Sequence, residues 1–140
     1  MTKPPGELLE FKGDAVFHRI GGGTLDNLRL KPAETHLRPP GFSVLSGGTP
    51  QEAARQIREA FPNAIKLHKA AETIGSATLE AIRAAGFDVI SDPTQKFPNH
   101  ARVIHPQRLA GFADESLKKL SKVFKETANA SDTTLLKPIS

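Results

Sequence analysis

The chain has 140 residues, a formal net charge of +4 and no cysteine. Its length suits one domain, and the lack of thiols excludes a disulfide scaffold, a thiolate zinc site and a cysteine nucleophile. The lack of Trp and Tyr argues against a broad aromatic platform for single-stranded nucleic acid. The charge is dispersed: positions 1–70 hold ten basic and seven acidic residues, positions 71–140 nine and eight. It is therefore weak support for nucleic-acid binding.

The two ends of the chain differ in composition from the part between them. Residues 1–6 have no apolar stretch after the first lysine, which argues against a signal peptide. No stretch approaches the roughly 18 apolar residues of a membrane span. We therefore expect a cytoplasmic protein, or one exported without a cleavable signal peptide, and no membrane partner. We predict a leading segment at 1–14, a single domain at 15–127 and a flexible tail at 128–140.

The first half of the predicted domain contains two strands and a helix. Short β-rich runs at 15–20 and 41–45, each followed by a glycine cluster, predict the strands. Thr49 and Glu52 form a capping box that starts a helix, and apolar residues then recur at helical spacing until Pro62 ends the pattern.

The second half begins with a helical pattern over 64–85 that is broken near Gly75. Gly86 follows it, at the position where a left-handed C-terminal cap is expected. Two further β-rich runs, at 87–90 and 100–105, predict strands.

A final amphipathic helix is predicted after Asp114, which we expect to cap it, with Leu117 and Leu120 facing inward. The resulting order is strand, strand, helix, helix, strand, strand, helix, which indicates an α+β domain. We predict a small mixed or antiparallel sheet packed with about four helices.

The densest polar cluster lies in the last predicted strand. His100 and Arg102 are two residues apart and therefore share one face of the strand. An imidazole beside a guanidinium forms an anion site with an acid–base group, which suits phosphodiester cleavage. We predict that both residues are catalytic. The alternative is that His100 closes a turn after Pro98 and that Arg102 is solvated.

A second cluster joins the first two predicted strands. His18 and Arg19 are adjacent and face opposite sides of their strand, so only one of them can line a given cleft. The glycines at 21–23 allow a close approach of the backbone to a ligand, but they also suit an ordinary turn. Ser43 follows Phe42 in the second strand and does not lie in a nucleophile-elbow pattern.

The sequence predicts no metal site. His100 and His105 are five residues apart, which places them on opposite faces of a strand. Three candidate acids have no local feature that selects one among them: Glu34, Glu72 and Glu80.

The order of these motifs resembles that of ADP-ribosyltransferase-like folds. A His-Arg strand comes first, and a Gly-Phe-Ser-Val strand then leads into a helix. The short motifs at 17–19, 43–44, 89–92 and 100–106 are also similar to those of small bacterial toxins delivered by type VI secretion.

The resemblance implies that the chain uses NAD, for ADP-ribosyl transfer to an intracellular macromolecular target or for NAD cleavage. It also implies a cognate antitoxin or immunity protein as partner. Since the chain has no Tyr, Phe17, Phe42 or Phe97 would stack on the nicotinamide. The resemblance assigns cofactor-binding roles to His18, Arg19, Phe42 and Ser43, and catalytic roles to His100 and Arg102.

Two other functions stay open. A metal-independent ribonuclease toxin would use His18, His100 and Arg102, and it is the one alternative in which nucleic acid is a partner. A non-catalytic inhibitor, immunity or adaptor domain would act by binding a protein partner, which the lack of a strong catalytic signature supports.

Overall fold

The computed structural model describes residues 11–128 and residue 130. Within them an antiparallel sheet of six strands forms, in the order β4-β5-β2-β1-β3-β6. The strands are β1 (Val16–Ile20), β2 (Phe42–Ser46), β3 (Ile74–Thr78), β4 (Asp88–Ser91), β5 (His100–Ile104) and β6 (Lys125–Thr127). The fold is therefore α+β, as predicted, and the antiparallel form of the sheet is the one adopted.

Six α-helices accompany the sheet in the described residues, and most of them are short. They are α1 (Leu25–Leu28), α2 (Pro32–Thr35), α3 (Pro50–Ala60), α4 (Ile65–Ala70), α5 (Leu79–Ala84) and α6 (Asp114–Ser121), with a 3-10 turn at Arg108–Phe112. The first two of these helices had no counterpart in the sequence prediction. None of the helices in the described residues has the length and apolarity needed to cross a membrane.

The sheet is buried on both faces. Successive side chains of a strand point to opposite sides, so Val44 belongs to one hydrophobic cluster and Leu45 to another. The Val44 cluster is completed by α5 through Ile82 and by α6 through Leu120. The Leu45 cluster is completed by α3 through Ile57. Helices therefore cover both faces, and any polar side chain that enters from the sheet must find partners locally.

The predicted helical pattern over 64–85 is interrupted near Gly75, as expected, but the interruption is a strand that was not predicted. Ile74–Thr78 forms β3, an interior strand that pairs with β1 along five residues, from Ile74 opposite Ile20 to Thr78 opposite Val16. A short apolar run does not distinguish a buried strand from part of a helix. The pairing with β1 decides, because it gives the backbone of this segment its hydrogen bonds.

The start of α3 and the end of α5 follow the local sequence, as predicted. Thr49 Oγ1 accepts from the Glu52 amide at 3.1 Å, and the Glu52 carboxylate accepts from the Thr49 amide at 2.9 Å. Gly86 has the expected left-handed φ of 96°. Asp114 does not cap α6. Its carboxylate binds the Arg29 guanidinium, with Nη2 and Oδ2 3.0 Å apart, and so ties α1 to α6.

The triple-glycine loop packs against the protein itself. The Gly23 amide donates to the Glu126 carboxylate at 2.6 Å, which fixes the loop beside β6. Gly75 of β3 passes so close that an added Cβ would lie 2.6 Å from the Gly23 nitrogen. A Cβ on Gly23 would in turn overlap the Phe124 side chain, so packing accounts for both glycines without a ligand.

Residues near both ends of the described chain contact the core. The Phe11 ring packs edge-on against Phe17, with centroids 4.8 Å apart. Ala130 is buried, and its amide donates to the Glu72 carbonyl at 2.7 Å. The remainder of the predicted leading segment, through residue 10, and of the predicted tail, at 129 and 131–140, lies outside the described residues.

We expect Gly75→Ala to lower the free energy of unfolding by about 1–3 kcal/mol, because the new Cβ overpacks the backbone of Gly23. Gly13→Ala is the matched control, since its Cβ would make an ordinary contact at 3.9 Å with Glu80. Urea denaturation measures both variants. Equal stability of the two would contradict the close approach of β3 to the glycine loop.

Candidate functional site

A pocket of about 410 Å³ opens where β1 and β2 separate. The two strands pair only at Phe17 with Ser46 and at His18 with Leu45. Beyond these pairs the strands diverge, and Arg19 and Ser43 line the opening. The volume lies within the range of small-molecule sites, roughly 300–1,000 Å³.

The pocket combines charged groups with an apolar wall. The polar side chains come from β1, β2, β5, the α1–α2 region and the β4–β5 connection: Arg19, Asn27, Lys31, Glu34, Ser43, Thr94 and His100. The apolar side chains come mainly from α3, α4 and the β4–β5 connection: Ile57, Phe61, Leu67 and Phe97. A ligand that fits both sets would carry negative charge and an apolar or aromatic ring.

The guanidinium of Arg19 fills the separation between the strands. It is only 7% exposed. Nη1 donates to the Ser43 carbonyl at 2.9 Å, while Nε and Nη2 donate to the Asn27 carbonyl at 3.1 and 2.6 Å. The guanidinium also lies 4.8 Å from the centroid of the Phe42 ring. Burial lowers the pKa of Arg19 and the charge of Glu34 opposes that effect, so the group remains a fixed cation.

His18 faces the other side of β1 and is fully buried. Its Nε2 lies 3.1 and 3.0 Å from the carbonyl oxygens of Gly47 and Gly48, and its Nδ1 lies 2.7 Å from Ser76 Oγ. Because carbonyl oxygens only accept, Nε2 carries the proton and Nδ1 accepts from the serine hydroxyl. Burial lowers the pKa of His18, so the ring is neutral and joins β1 to the turn before α3.

His100 is held by the backbone and the side chain of Asp92. Its Nδ1 lies 2.7 Å from the Asp92 carbonyl and 3.4 Å from Oδ2 of the same residue. The carbonyl requires a donor, so Nδ1 carries the proton and Nε2 of the neutral ring is the basic nitrogen. His100 lines the pocket, which makes it the candidate general base there.

Arg102 lies on the same strand face as His100, as predicted, but it does not line the pocket. Its Nη2 donates to Asp92 Oδ2 at 3.0 Å, and its Nη1 donates to the Pro39 carbonyl at 2.7 Å. Arg102 therefore positions Asp92, which in turn orients His100.

The structure brings together half of the residues that the sequence assigned to the site. Arg19, Ser43 and His100 meet in the pocket, whereas His18, Phe42 and Arg102 do not line it. Phe42 is fully buried in the core beneath Arg19.

The pocket also contains groups that sequence reasoning did not select. Of the three candidate acids, Glu34 is the one that lines it. Its Oε1 accepts from the Lys31 amide at 2.8 Å at the start of α2. A proline at the first position of α2 and a glutamate in its first turn are local signals of a helix start. The position of Asp92 relative to His100 has no local signal, because it depends on the pairing of β4 with β5.

In comparisons with known proteins, no family model, no curated protein and no solved structure matches this chain. The motif resemblance to ADP-ribosyltransferase-like toxins therefore stays a prediction. What the chain does has to be inferred from the chemistry of the pocket.

We expect the protein to lose stability as the pH falls below about 6.5, the ordinary pKa of His18. Below this pH the His18 imidazole binds a proton in the unfolded chain, whereas burial opposes protonation in the folded chain. The contribution of His18 to the free energy of unfolding is therefore complete above this pH and decreases below it. His105, whose pKa is also lowered by burial, acts in the same direction.

The measurement is the Tm at about pH 7.5 and about pH 5.5 for the wild type and His18→Gln. The variant is expected to have a lower Tm at the higher pH and a smaller decrease between the two. Parallel decreases in both proteins would show that His18 is not the titrating group.

Proposed function

We propose that this chain is a small bacterial toxin-like enzyme that uses NAD, for NAD cleavage or for ADP-ribosyl transfer to an intracellular target. The main support is the buried cation of Arg19 in a pocket that also offers a carboxylate, an imidazole and phenylalanine rings. A dinucleotide carries a pyrophosphate, ribose hydroxyls and flat rings, and each of these has a matching group in this pocket.

Arg19 and Lys31 would hold the pyrophosphate. The guanidinium of Arg19 is fixed by three contacts to the carbonyls of Asn27 and Ser43, and it has further N–H groups beyond those. A cation that is already ordered loses little side-chain entropy when it binds a phosphate. Lys31 adds a second positive charge at the lining of the same pocket.

Phe97 would stack on the nicotinamide. Of the three phenylalanines that the sequence suggested for this role, Phe17 and Phe42 are fully buried in the core, whereas Phe97 lines the pocket. Its ring centroid lies 5.8 Å from that of Phe61, which lines the pocket as well. The pair presents the aromatic surface that the missing tyrosine would otherwise supply.

Glu34 and His100 would perform the reaction. The bond between C1′ of the ribose and the nicotinamide nitrogen breaks, and its electron pair leaves with neutral nicotinamide. The Glu34 carboxylate stabilises the positive charge that develops on the ribose. His100 Nε2 takes the proton of the water or target nucleophile that forms the new bond to C1′. Hydrolysis then yields ADP-ribose, nicotinamide and a proton.

Glu34→Gln tests this function, since the amide oxygen can still accept from the Lys31 amide while the charge is lost. We expect millimolar NAD to raise the Tm of wild type and variant alike. Nicotinamide release is expected to be slower in the variant by about 100-fold or more.

Glu72→Gln is the matched control, because it makes the same charge change outside the pocket. It is expected to release nicotinamide at the wild-type rate. The absence of both stabilisation by NAD and nicotinamide release in the wild-type protein would refute the proposal.

A second candidate function is a metal-independent ribonuclease, and the contact of His100 with Asp92 favours it. An imidazole whose Nδ1 is held by an acidic residue can remove the proton of a ribose 2′-hydroxyl, which then attacks the phosphorus. The 5′-oxygen leaves and takes that proton from the imidazolium. Arg19 and Lys31 would neutralise the phosphate.

The expected outcome for this second candidate is RNA degradation that persists in EDTA and is lost in His100→Ala. Asp92→Asn should reduce it less, because the backbone carbonyl of residue 92 still holds Nδ1. Intact RNA after long incubation with the wild-type protein would exclude the ribonuclease.

A further inference from the structure

We propose that a groove beside the contact between Arg102 and Pro39 binds an acidic segment of a partner protein. The groove, called here the Arg38–Arg108 groove, has a volume of about 450 Å³. Two segments form it, the connection from α2 to β2 and the turn after β5. Its lining includes His36, Leu37, Arg38, Gln107, Arg108 and Leu109.

Exposed leucines make this groove suitable for a protein. Leu37 is 38% exposed and Leu109 is 52% exposed. Among the described residues three large hydrophobic side chains are exposed to this degree, and two of them line this groove. Paired apolar side chains beside polar ones are typical of protein-binding surfaces, where a partner removes them from water.

The charge of the groove selects an acidic partner. Arg38 and Arg108 both line it, and no carboxylate from the described residues does. Within the described part of the chain neither guanidinium takes part in an ion pair, in contrast to Arg29 and Arg83, which bind aspartates. Arginines that are not neutralised attract carboxylates and form paired hydrogen bonds with them.

Hydrogen bonds within the turn after β5 fix one wall of the groove. Arg108 has a φ of 57°, the one left-handed non-glycine residue in the described residues. Such a conformation is costly and persists where the surroundings hold it. Here His105 holds it: its carbonyl accepts from the Arg108 amide at 2.9 Å, and its Nδ1 accepts from the Gln107 amide at 3.0 Å. A partner that binds this turn therefore meets a backbone that is already fixed, which lowers the entropy cost of binding.

The opposite wall is anchored as well. The Pro39 carbonyl accepts from Arg102 Nη1 at 2.7 Å, so the segment that carries Leu37 and Arg38 is tied to β5. A nucleic-acid backbone would use the arginines of the groove but leave both leucines exposed. A protein segment with a large apolar residue between carboxylates can contact both leucines and both arginines of the groove. This inference does not depend on the proposed activity.

A phage-displayed library of random twelve-residue peptides, selected on the wild-type protein, tests the proposal. We expect the selected peptides to combine Asp or Glu with Leu, Ile, Phe or Trp. A fluorescein-labelled selected peptide should bind about tenfold or more weakly to Arg38→Glu/Arg108→Glu and to Leu109→Ser. Its affinity should also fall when NaCl is raised to about 0.5 M.

Two controls keep the result interpretable. Lys118→Glu/Lys122→Glu makes the same charge change on α6 and the residue after it, and should leave peptide binding unchanged. Arg108→Gly removes the guanidinium at a backbone angle that glycine adopts freely, so it weakens binding without straining the turn.

Three results would overturn the proposal: selected peptides without acidic residues, equal binding to the charge-reversed variant, or displacement of the peptide by a short RNA at lower concentration than by unlabelled peptide. Loss of NAD cleavage has no bearing on these measurements, so the two proposals fail separately.

Discussion

The separation of β1 from β2, closed by the side chain of Arg19, is the constraint on which the pocket depends. Backbone pairing between these strands stops after two residue pairs. Arg19 then donates to the carbonyls of Ser43 and Asn27. A hydrogen bond that involves a charged group contributes roughly 1.5–3 kcal/mol. One guanidinium thus stabilises the divergent strands and supplies the cation of the site.

Asp92 has a comparable role at the other side of the pocket. It contacts His100 through its carbonyl and carboxylate, and its carboxylate also accepts from Arg102. Arg102 in turn reaches the Pro39 carbonyl beside the Arg38–Arg108 groove. A chain of hydrogen bonds therefore connects the pocket with the groove. Arg102 holds Asp92 on one side and the Pro39 segment on the other, and it lines neither site.

Sequence reasoning succeeded where neighbouring residues decide the structure. The capping box of Thr49 and Glu52 and the left-handed Gly86 are local patterns, and both were predicted. It failed for β3, because this strand is defined by its pairing with β1. It also failed to select Glu34, because α2 approaches the pocket only in the folded chain. Nothing near Asp92 in the sequence indicates that it meets His100.

His18 and Arg19 show where the sequence stops being sufficient. Strand geometry alone determines that these neighbours face opposite sides of β1. Helices cover both faces of the sheet, so local pattern does not tell which side opens into a pocket. The pocket lies on the face that His18 shares with Leu45 and His100. The tertiary structure nevertheless keeps His18 out of it, because the turn before α3 encloses this side chain. Arg19 points to the other face and reaches the pocket through the gap where β1 diverges from β2. The physical reason is that strand pairing and helix packing are set by residues far apart in the chain.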